Sequence, residues 1–306
     1  MNAQSKHIVV VGSINTDLVV TSDRLPCAGE TITGLSLATF QGGKGANQAV
    51  AAAQLGAKVS MIGKVGSDSY GAESLRELER RGVNCEHVHV EQADSGIAVI
   101  TVGADGQNTI VVIPGANALV SPEFVESKRR VIREAGIVLA QLEIPVESVL
   151  YLAQLCEQEG VPLVLDPAPA KSLPPALLPL CEWVTPNETE ARFYAGSQED
   201  DLAEEVAKVL QAKGTRNVLL KLGERGALIA RQSLPPHRVA AFPVAAVDTT
   251  AAGDTFNAAF ASALIEGREI AFCGRFAAAA AALSVTRAGA QASMPTLSEV
   301  NAFMKA

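Results

Sequence analysis

The sequence predicts an α/β protein: one mostly parallel sheet covered by helices on both faces, with a small second sheet beside it. Three observations carry this. Short, almost wholly apolar segments alternate with longer helical ones, as buried parallel strands and their crossovers do. Two extended runs around an Asp-Gly turn break the alternation and read as a β-hairpin. The last third is rich in alanine and reads as long, closely packed helices.

The elements follow in order. Residues 8–11 are the first strand, running into the polar turn 12–17. Residues 18–21 and 31–37 are further extended runs. Residues 46–55 form an alanine-rich helix stopped by Gly56, and 59–62 a strand. Asp68 caps a helix running to Arg81, with Gly82 as its stop. Segments 96–102 and 109–113 flank the turn 103–106. With 18–21 and 31–37 they make a lid sheet within about 15–41 and 94–115. Ser121 before Pro122 opens a helix to about residue 135. Then come strand 137–142, helix 146–159, strands 163–165 and 183–185, helix 202–213 and strands 218–222 and 239–247. Helices 253–266 and 269–286 follow. No Pro/Ser-rich linker and no repeat divides the chain, so residues 1–306 read as one α/β domain.

Composition prunes the functions. Aromatic residues are 4% and the net charge is −8, so neither the stacking rings nor the basic groove of a nucleic-acid binder is present. No apolar run approaches the ~20 residues that span a bilayer, so neither membrane nor nucleic acid is an expected partner. The apolar stretch 8–11 is too short for a signal-peptide core, and five dispersed cysteines lack any CxxC pair. Both point to reduced thiols and a cytoplasmic protein. The dinucleotide fingerprint G-x-G-x-x-G is missing, which disfavours a dehydrogenase.

Three segments carry chemistry. Gly42-Gly43-Lys44-Gly45-Ala46-Asn47-Gln48 leads into a helix. Its glycines let amides approach a ligand, Lys44 adds charge, and Asn47 offers a donor and an acceptor to a sugar hydroxyl. The plain alternative is a strained loop with a solvated lysine. In the turn 247–256, the amides of Ala251, Ala252 and Gly253 would form an anion hole at a helix start, with Asp254 in the first helical turn beside it. A carboxylate there takes the proton from an attacking hydroxyl, or is only a helix-dipole residue. Asn187 and Glu190, three apart, would hold hydrated Mg²⁺ near phosphates, or form a capping box. Asn15, Asp17, Glu143, Asn187, Gly223 and the 248–254 turn all follow predicted strands, where open parallel sheets place their ligand crevice.

The Gly-Gly-Lys-Gly-Ala-Asn run at 42–47, the Asp-Thr-Thr-Ala-Ala-Gly-Asp-Thr-Phe run at 248–256 and the Asn-x-x-Glu motif at 187–190 stand in the order and spacing of a known family. From residue 9 to the C-terminus the chain resembles the ribokinase-like family of carbohydrate and nucleoside kinases. The resemblance implies a three-layer fold and ATP-dependent phosphorylation of D-ribose on O5. It makes Asp254 the base, and assigns the sugar to Asn15, Asp17, Gly43, Lys44, Gly45, Ala46, Asn47 and Glu143. ATP falls to Asn187, Lys221, Leu222, Gly223, Glu224, Arg225, Gly226, Gly253 and Ala278. It further implies Mg²⁺ held through water by Glu190. A monovalent cation, K⁺, would lie at Asp248, Thr250, Ser284, Arg287, Gly289 and Ser293. The lid would also clasp a homodimer. Ala251 stands where many members have glycine, and the hole survives if φ is negative there. Lys221 stands in place of threonine and contacts a phosphate or points to solvent. Ala278 replaces a polar side chain on the adenine side. Rival readings are another acceptor (2-deoxyribose, fructose, a nucleoside) and a sugar-binding module without catalysis, which would not need Asp254.

Overall fold

The computed structural model describes residues 7–198 and 201–305. In chain order the strands and helices begin with β1 (His7–Val11), β2 (Asn15–Thr21), β3 (Ser36–Gly42), α1 (Lys44–Gln54), β4 (Lys58–Gly66), α2 (Ser69–Arg80) and β5 (Asn84–Glu91). The hairpin β6 (Gly96–Val102) and β7 (Asn108–Ile113) leads to α3 (Pro122–Glu126), α4 (Arg129–Arg133), β8 (Ile137–Ala140), α5 (Val146–Glu159) and β9 (Leu163–Leu165). Next are α6 (Leu177–Leu180), β10 (Trp183–Val184), α7 (Glu188–Ala195), α8 (Ala203–Ala212), β11 (Asn217–Lys221), β12 (Ala227–Arg231) and β13 (His237–Val239). The chain closes with α9 (Ala252–Ile265), α10 (Ile270–Ser284) and α11 (Leu297–Phe303).

The main sheet has nine strands in the order β13-β12-β11-β10-β9-β8-β1-β4-β5. Only β12 runs against the rest, pairing antiparallel with β11 and β13. Strand side chains alternate between two cores. Ile8 and Val10 pack with Ile137 and Leu139 against α1, α9 and α10, while Val9, Val11, Val138 and Ala140 pack against α3 to α6. A third cluster joins β11 and β12 to α7 and α8. Buried Ala258, Ala259 and Ala261 of α9 share the first core with Ala277–Ala280 of α10, so the two alanine-rich helices seat closely. Phe260 of α9 meets Trp183 of β10 edge-on at 4.9 Å between centroids, worth about 0.5–1.5 kcal/mol beyond burial.

The second sheet has the order β3-β2-β6-β7. Its hairpin β6–β7 lies where the Asp-Gly turn predicts it. Four expectations differ. The third strand runs 36–42 rather than 31–37, because it pairs with β2 through Asp17↔Phe40 and Leu18↔Thr39. Strand β2 begins at Asn15, so Asn15 and Asp17 open a strand rather than end a turn. The helix expected from 121 to 135 is two short ones, broken where Ser127 Oγ donates to the Phe124 carbonyl. The strand expected over 239–247 ends at Val239. Pro243 lacks an N–H for a ladder, and the chain crosses instead towards α10, where Val247 and Asp248 amides donate to the Val285 carbonyl.

Candidate active site

The carboxyl ends of β9, β10 and β11 face the start of α9 across a cavity of about 440 Å³. Lys44, Asp166, Glu190, Lys221, Gly253 and Asp254 are among its walls. A second cavity of about 330 Å³ is lined by Asn15, Asn117, Glu143 and Lys171.

The glycine run behaves differently from expectation. Gly43 caps α1 at φ 86°, and a side chain there would meet Asn15 N at 2.7 Å. One on Gly45 would meet Ser13 N at 2.6 Å. These glycines therefore let α1 press onto the 12–15 turn. The amides are spent inside the protein: Lys44 N donates to Glu143 Oε2 at 3.0 Å, Gly45 N to Ser13 Oγ at 3.4 Å and Ala46 N to the Ser13 carbonyl at 2.9 Å. The start of α1 is not an anion site. What it presents is side chains. Asn15 Oδ1 is fixed by Asn117 Nδ2 at 2.7 Å, and Ser13 Oγ donates to Glu143 Oε2 at 2.5 Å.

Asp254 is buried, 4% exposed, in the first turn of α9. Asn47 Nδ2 donates to its Oδ2 at 3.0 Å and Gln48 Nε2 to its Oδ1 at 3.1 Å. Asn47 Oδ1 is buried without a protein partner among the described residues. Burial pushes the Asp254 carboxyl up, Lys44 pulls it down, Asp166 pushes it up and the two amides pull it down, leaving it raised to about 6. Asp17 is half-buried and also raised to about 6, first by burial and then by Glu143 and Asp254. Burial opposes the Lys44 charge, but Asp254, Asp166, Glu143 and Glu190 outweigh it and hold the ammonium above the ordinary lysine range.

Ala251 is left-handed, φ 59° and ψ 13°. The negative φ on which the sequence argument made the hole depend is absent. A left-handed residue next to a helix start is nonetheless the geometry that turns successive amides to one side. The Ala252 amide is drawn back to the Thr249 carbonyl at 3.2 Å, leaving the amides of Ala251 and Gly253 as the principal donors of an α9 start whose first N–H groups have no helical acceptor.

On the nucleotide side, Asn187 and Glu190 form the capping box. Glu190 N donates to Asn187 Oδ1 at 2.9 Å, and Asn187 N to Glu190 Oε2 at 2.8 Å. Glu190 still lines the cavity, its carboxyl raised by burial first and by Asp166 next. Lys221 Nζ pairs with Asp166 Oδ1 at 3.0 Å and does not point to solvent. Residues 222–226 form a tight turn closed by Leu222 N to the Gly226 carbonyl at 2.9 Å, with Glu224 and Arg225 exposed and Arg225 paired to Glu188. Ala278 is packed in the core of α10, away from the cavity wall.

Segments 248–250 and 284–293 meet. Asp248 follows no strand. Its Oδ1 accepts from Thr250 N at 2.9 Å and its Oδ2 from Gly289 N at 2.8 Å. Arg287 pairs with Glu299 at 2.5 Å, so the arginine does not neutralise Asp248. Sequence reasoning missed Asp166, Asn117, and the roles of Gln48 and Gln141. The one signal for Asp166 is its place directly after the strand 163–165.

A buried carboxylate in the first turn of a helix, the amides of that helix start and two lysines on one cavity suit phosphoryl transfer of the sugar-kinase kind. The chain belongs to the pfkB family of carbohydrate kinases, which it matches over residues 5–297. It is 44% identical over 302 residues to the ribokinase of Bacillus subtilis (strain 168), covering 98% of this chain and 99% of that one. It is 36% identical over 301 residues to the deoxyribokinase of Salmonella typhi, covering 97% and 98%. The structure of Arabidopsis thaliana ribokinase complexed with ribose and ATP aligns at a TM-score of 0.92 and 38% identity, over 98% of each chain.

Proposed function

We propose that the chain transfers the γ-phosphoryl group of ATP to O5 of D-ribose, giving D-ribose 5-phosphate and ADP. The carrying observation is the Asp254 carboxylate, fixed from both sides by Asn47 and Gln48 beside the α9 amides. Asp254 takes the O5 proton as that oxygen attacks, and the β–γ bridging oxygen leaves with ADP. The amides of Ala251 and Gly253 receive the charge of the transferring group, with the Ala252 amide turned back to the Thr249 carbonyl. Asn15, Asp17, Lys44, Asn47 and Glu143 hold the sugar hydroxyls, and the buried free Oδ1 of Asn47 supports this. Gly45 and Ala46 contribute shape, since their amides are engaged elsewhere, and Gly43 supplies the left-handed turn that leads into α1. ATP lies along Asn187, Lys221, the 222–226 turn and Gly253, with Ala278 packed behind.

Mg²⁺ fits the carboxylate oxygens of Glu190, which line the cavity beside Lys44 and Lys221; bound there through water, it neutralises phosphate charge. K⁺ fits the second cluster. Ser284 and Ser293 hydroxyls donate to Ala281 and Ala290 carbonyls and keep lone pairs free, and Gln291 Oε1 is buried without a partner among the described residues. With Asp248, Thr250 and the main chain at Arg287 and Gly289, this is an oxygen donor set suited to a hard cation. The small sheet serves as lid and dimer clasp. Leu37 is 68% exposed and Val111 63%, on an apolar face that a second copy would cover. Four of the five free cysteines are buried, which supports a cytoplasmic setting.

The test is a panel of acceptors (ribose, 2-deoxyribose, fructose and adenosine) scored by acceptor-dependent ADP release. Ribose should have the highest kcat/KM. A higher value for 2-deoxyribose would move the reading to the second relative's chemistry, and sugar binding without ADP release would make the chain a binding module.

A further inference from the structure

Asp166 stands one residue beyond β9 and is 2% exposed. Its two oxygens face opposite halves of the site. Oδ1 holds Lys221 Nζ at 3.0 Å, and Oδ2 accepts from Gln48 Nε2 at 3.2 Å. The same Gln48 nitrogen donates to Asp254 Oδ1 at 3.1 Å. One amide nitrogen carries two N–H groups, so both bonds form together. Gln141 Nε2 donates to Gln48 Oε1 at 2.7 Å, which fixes the end of the amide that faces the two carboxylates. Gln48 and Gln141 are both buried, at 1% and 0% exposure. On the nucleotide side, a methyl built on Gly253 would lie 3.4 Å from Lys221 Nζ, so the ammonium sits against the α9 start.

A buried ion pair is a poor device for stability alone, because desolvation offsets its Coulomb attraction and apolar or neutral groups of the same size do as well. Here the pair lies on the wall of the cavity that holds the base. Resting on the kinase reading above, we propose that Asp166 is a positioning residue of the phosphoryl transfer. It anchors the Lys221 ammonium beside the anion hole and, through Gln48, sets the carboxylate of Asp254.

Asp166 is faced by Lys221 from β11, Lys44 from α1, Gln48 from α1, Glu190 and Tyr194 from α7, and Asp254 from α9. Asp254 is faced by Lys44, Asp166 and, across the sugar side, Asp17. Removing the Asp166 charge therefore removes a negative neighbour of the base, and leaves Lys221 as an uncompensated positive one. Both changes favour the ionised base.

The experiment measures kcat, both KM values and the pH profile of kcat/KM for ribose in wild type, Asp166→Asn and Lys221→Met. The asparagine keeps the shape and an acceptor for Gln48. For Asp166→Asn, kcat falls about 10–100-fold, ribose affinity by calorimetry stays within about twofold, and the acid limb moves to lower pH. For Lys221→Met, which leaves the Gln48–Asp254 contact in place, the KM for ATP rises several-fold. An unmoved acid limb in an active Asp166→Asn enzyme overturns the proposal, because a packing role would cost rate without shifting it. If that variant does not fold, Lys221→Met decides: an unchanged KM for ATP overturns it. A wild type with no ribose-dependent turnover overturns this inference and the kinase reading together.

Discussion

Asn47 Nδ2 donates to Asp254 Oδ2 at 3.0 Å, joining residues 207 positions apart. The bond ties the helix that follows the glycine run to the helix that follows the anion turn. With Gln48 on the other oxygen, the carboxylate is fixed from both sides. Hydrogen bonds from neutral amides hold the ionised form, while burial opposes it. The balance at about 6 leaves Asp254 ionised at neutral pH, the state that the proposed base role requires.

Asp254→Asn should lower kcat by about 10²–10⁴-fold while ribose binding by calorimetry persists. The amide keeps the shape but cannot accept the proton, and one of its ends meets the Asn47 or Gln48 donor. Near-normal turnover in the pure variant would remove Asp254 as the base.

Activity and stability should respond to pH with opposite signs. The rate constant kcat/KM rises as pH passes through about 6, where Asp254 ionises. For stability, both Asp17 and Asp254 have folded values near 6, above the ordinary 3.8. Between about 4 and 6 the folded state binds more protons than the unfolded one, so stability falls as pH rises through that window. Asp17→Asn should therefore raise Tm at pH 8, by a few degrees for a gain on the order of 1 kcal/mol, with the gain shrinking towards pH 4. Thermal unfolding at the two pH values checks this.

Ala251 carries a left-handed conformation at φ 59° without being glycine. Ala251→Val should destabilise the protein by about 1–2 kcal/mol or more, since a β-branched side chain fits this region poorly, and should lower kcat by disturbing the amides of α9. Ala251→Gly should stay within about 1 kcal/mol of the parent, because relief of Cβ strain is offset by extra freedom in the unfolded chain. Denaturant midpoints and kcat for the two variants separate a strained turn from an indifferent one.

Activity should rise with K⁺ and respond poorly to Na⁺ at constant ionic strength. With Arg287 committed to Glu299, Asp248 is held by the Thr250 and Gly289 amides and the Thr250 hydroxyl. A large, weakly hydrated cation would fix the 248–250 turn ahead of the anion hole, acting on preorganisation rather than on substrate. Equal initial rates in K⁺, Na⁺ and a bulky organic cation would take the ion out of the account.

Asp254 and its turn are legible because the chemistry is local: small residues, then a carboxylate, at a helix start. Asn187 and Glu190 are legible for the same reason, and the capping box among their two readings is present. The Asp166–Gln48–Asp254 link is not, since it depends on β9 lying in the sheet between β8 and β10 and on α1 crossing above them. Gln48 follows Asn47 in an alanine-rich helix, and spacing alone does not show that it faces two carboxylates. The shift of β3 has a related cause. Thr31-Ile32-Thr33 is β-prone, but pairing with β2 selects the later residues.

The most direct measurement is a proton–phosphorus correlation spectrum of the product formed from D-ribose and ATP. The account predicts ribose-dependent ADP formation and a phosphorus signal coupled to the two C5 protons, lost in Asp254→Asn. A phosphorus signal coupled to the C1 proton, or ATP consumption that gives only free phosphate whether or not ribose is present, would contradict it.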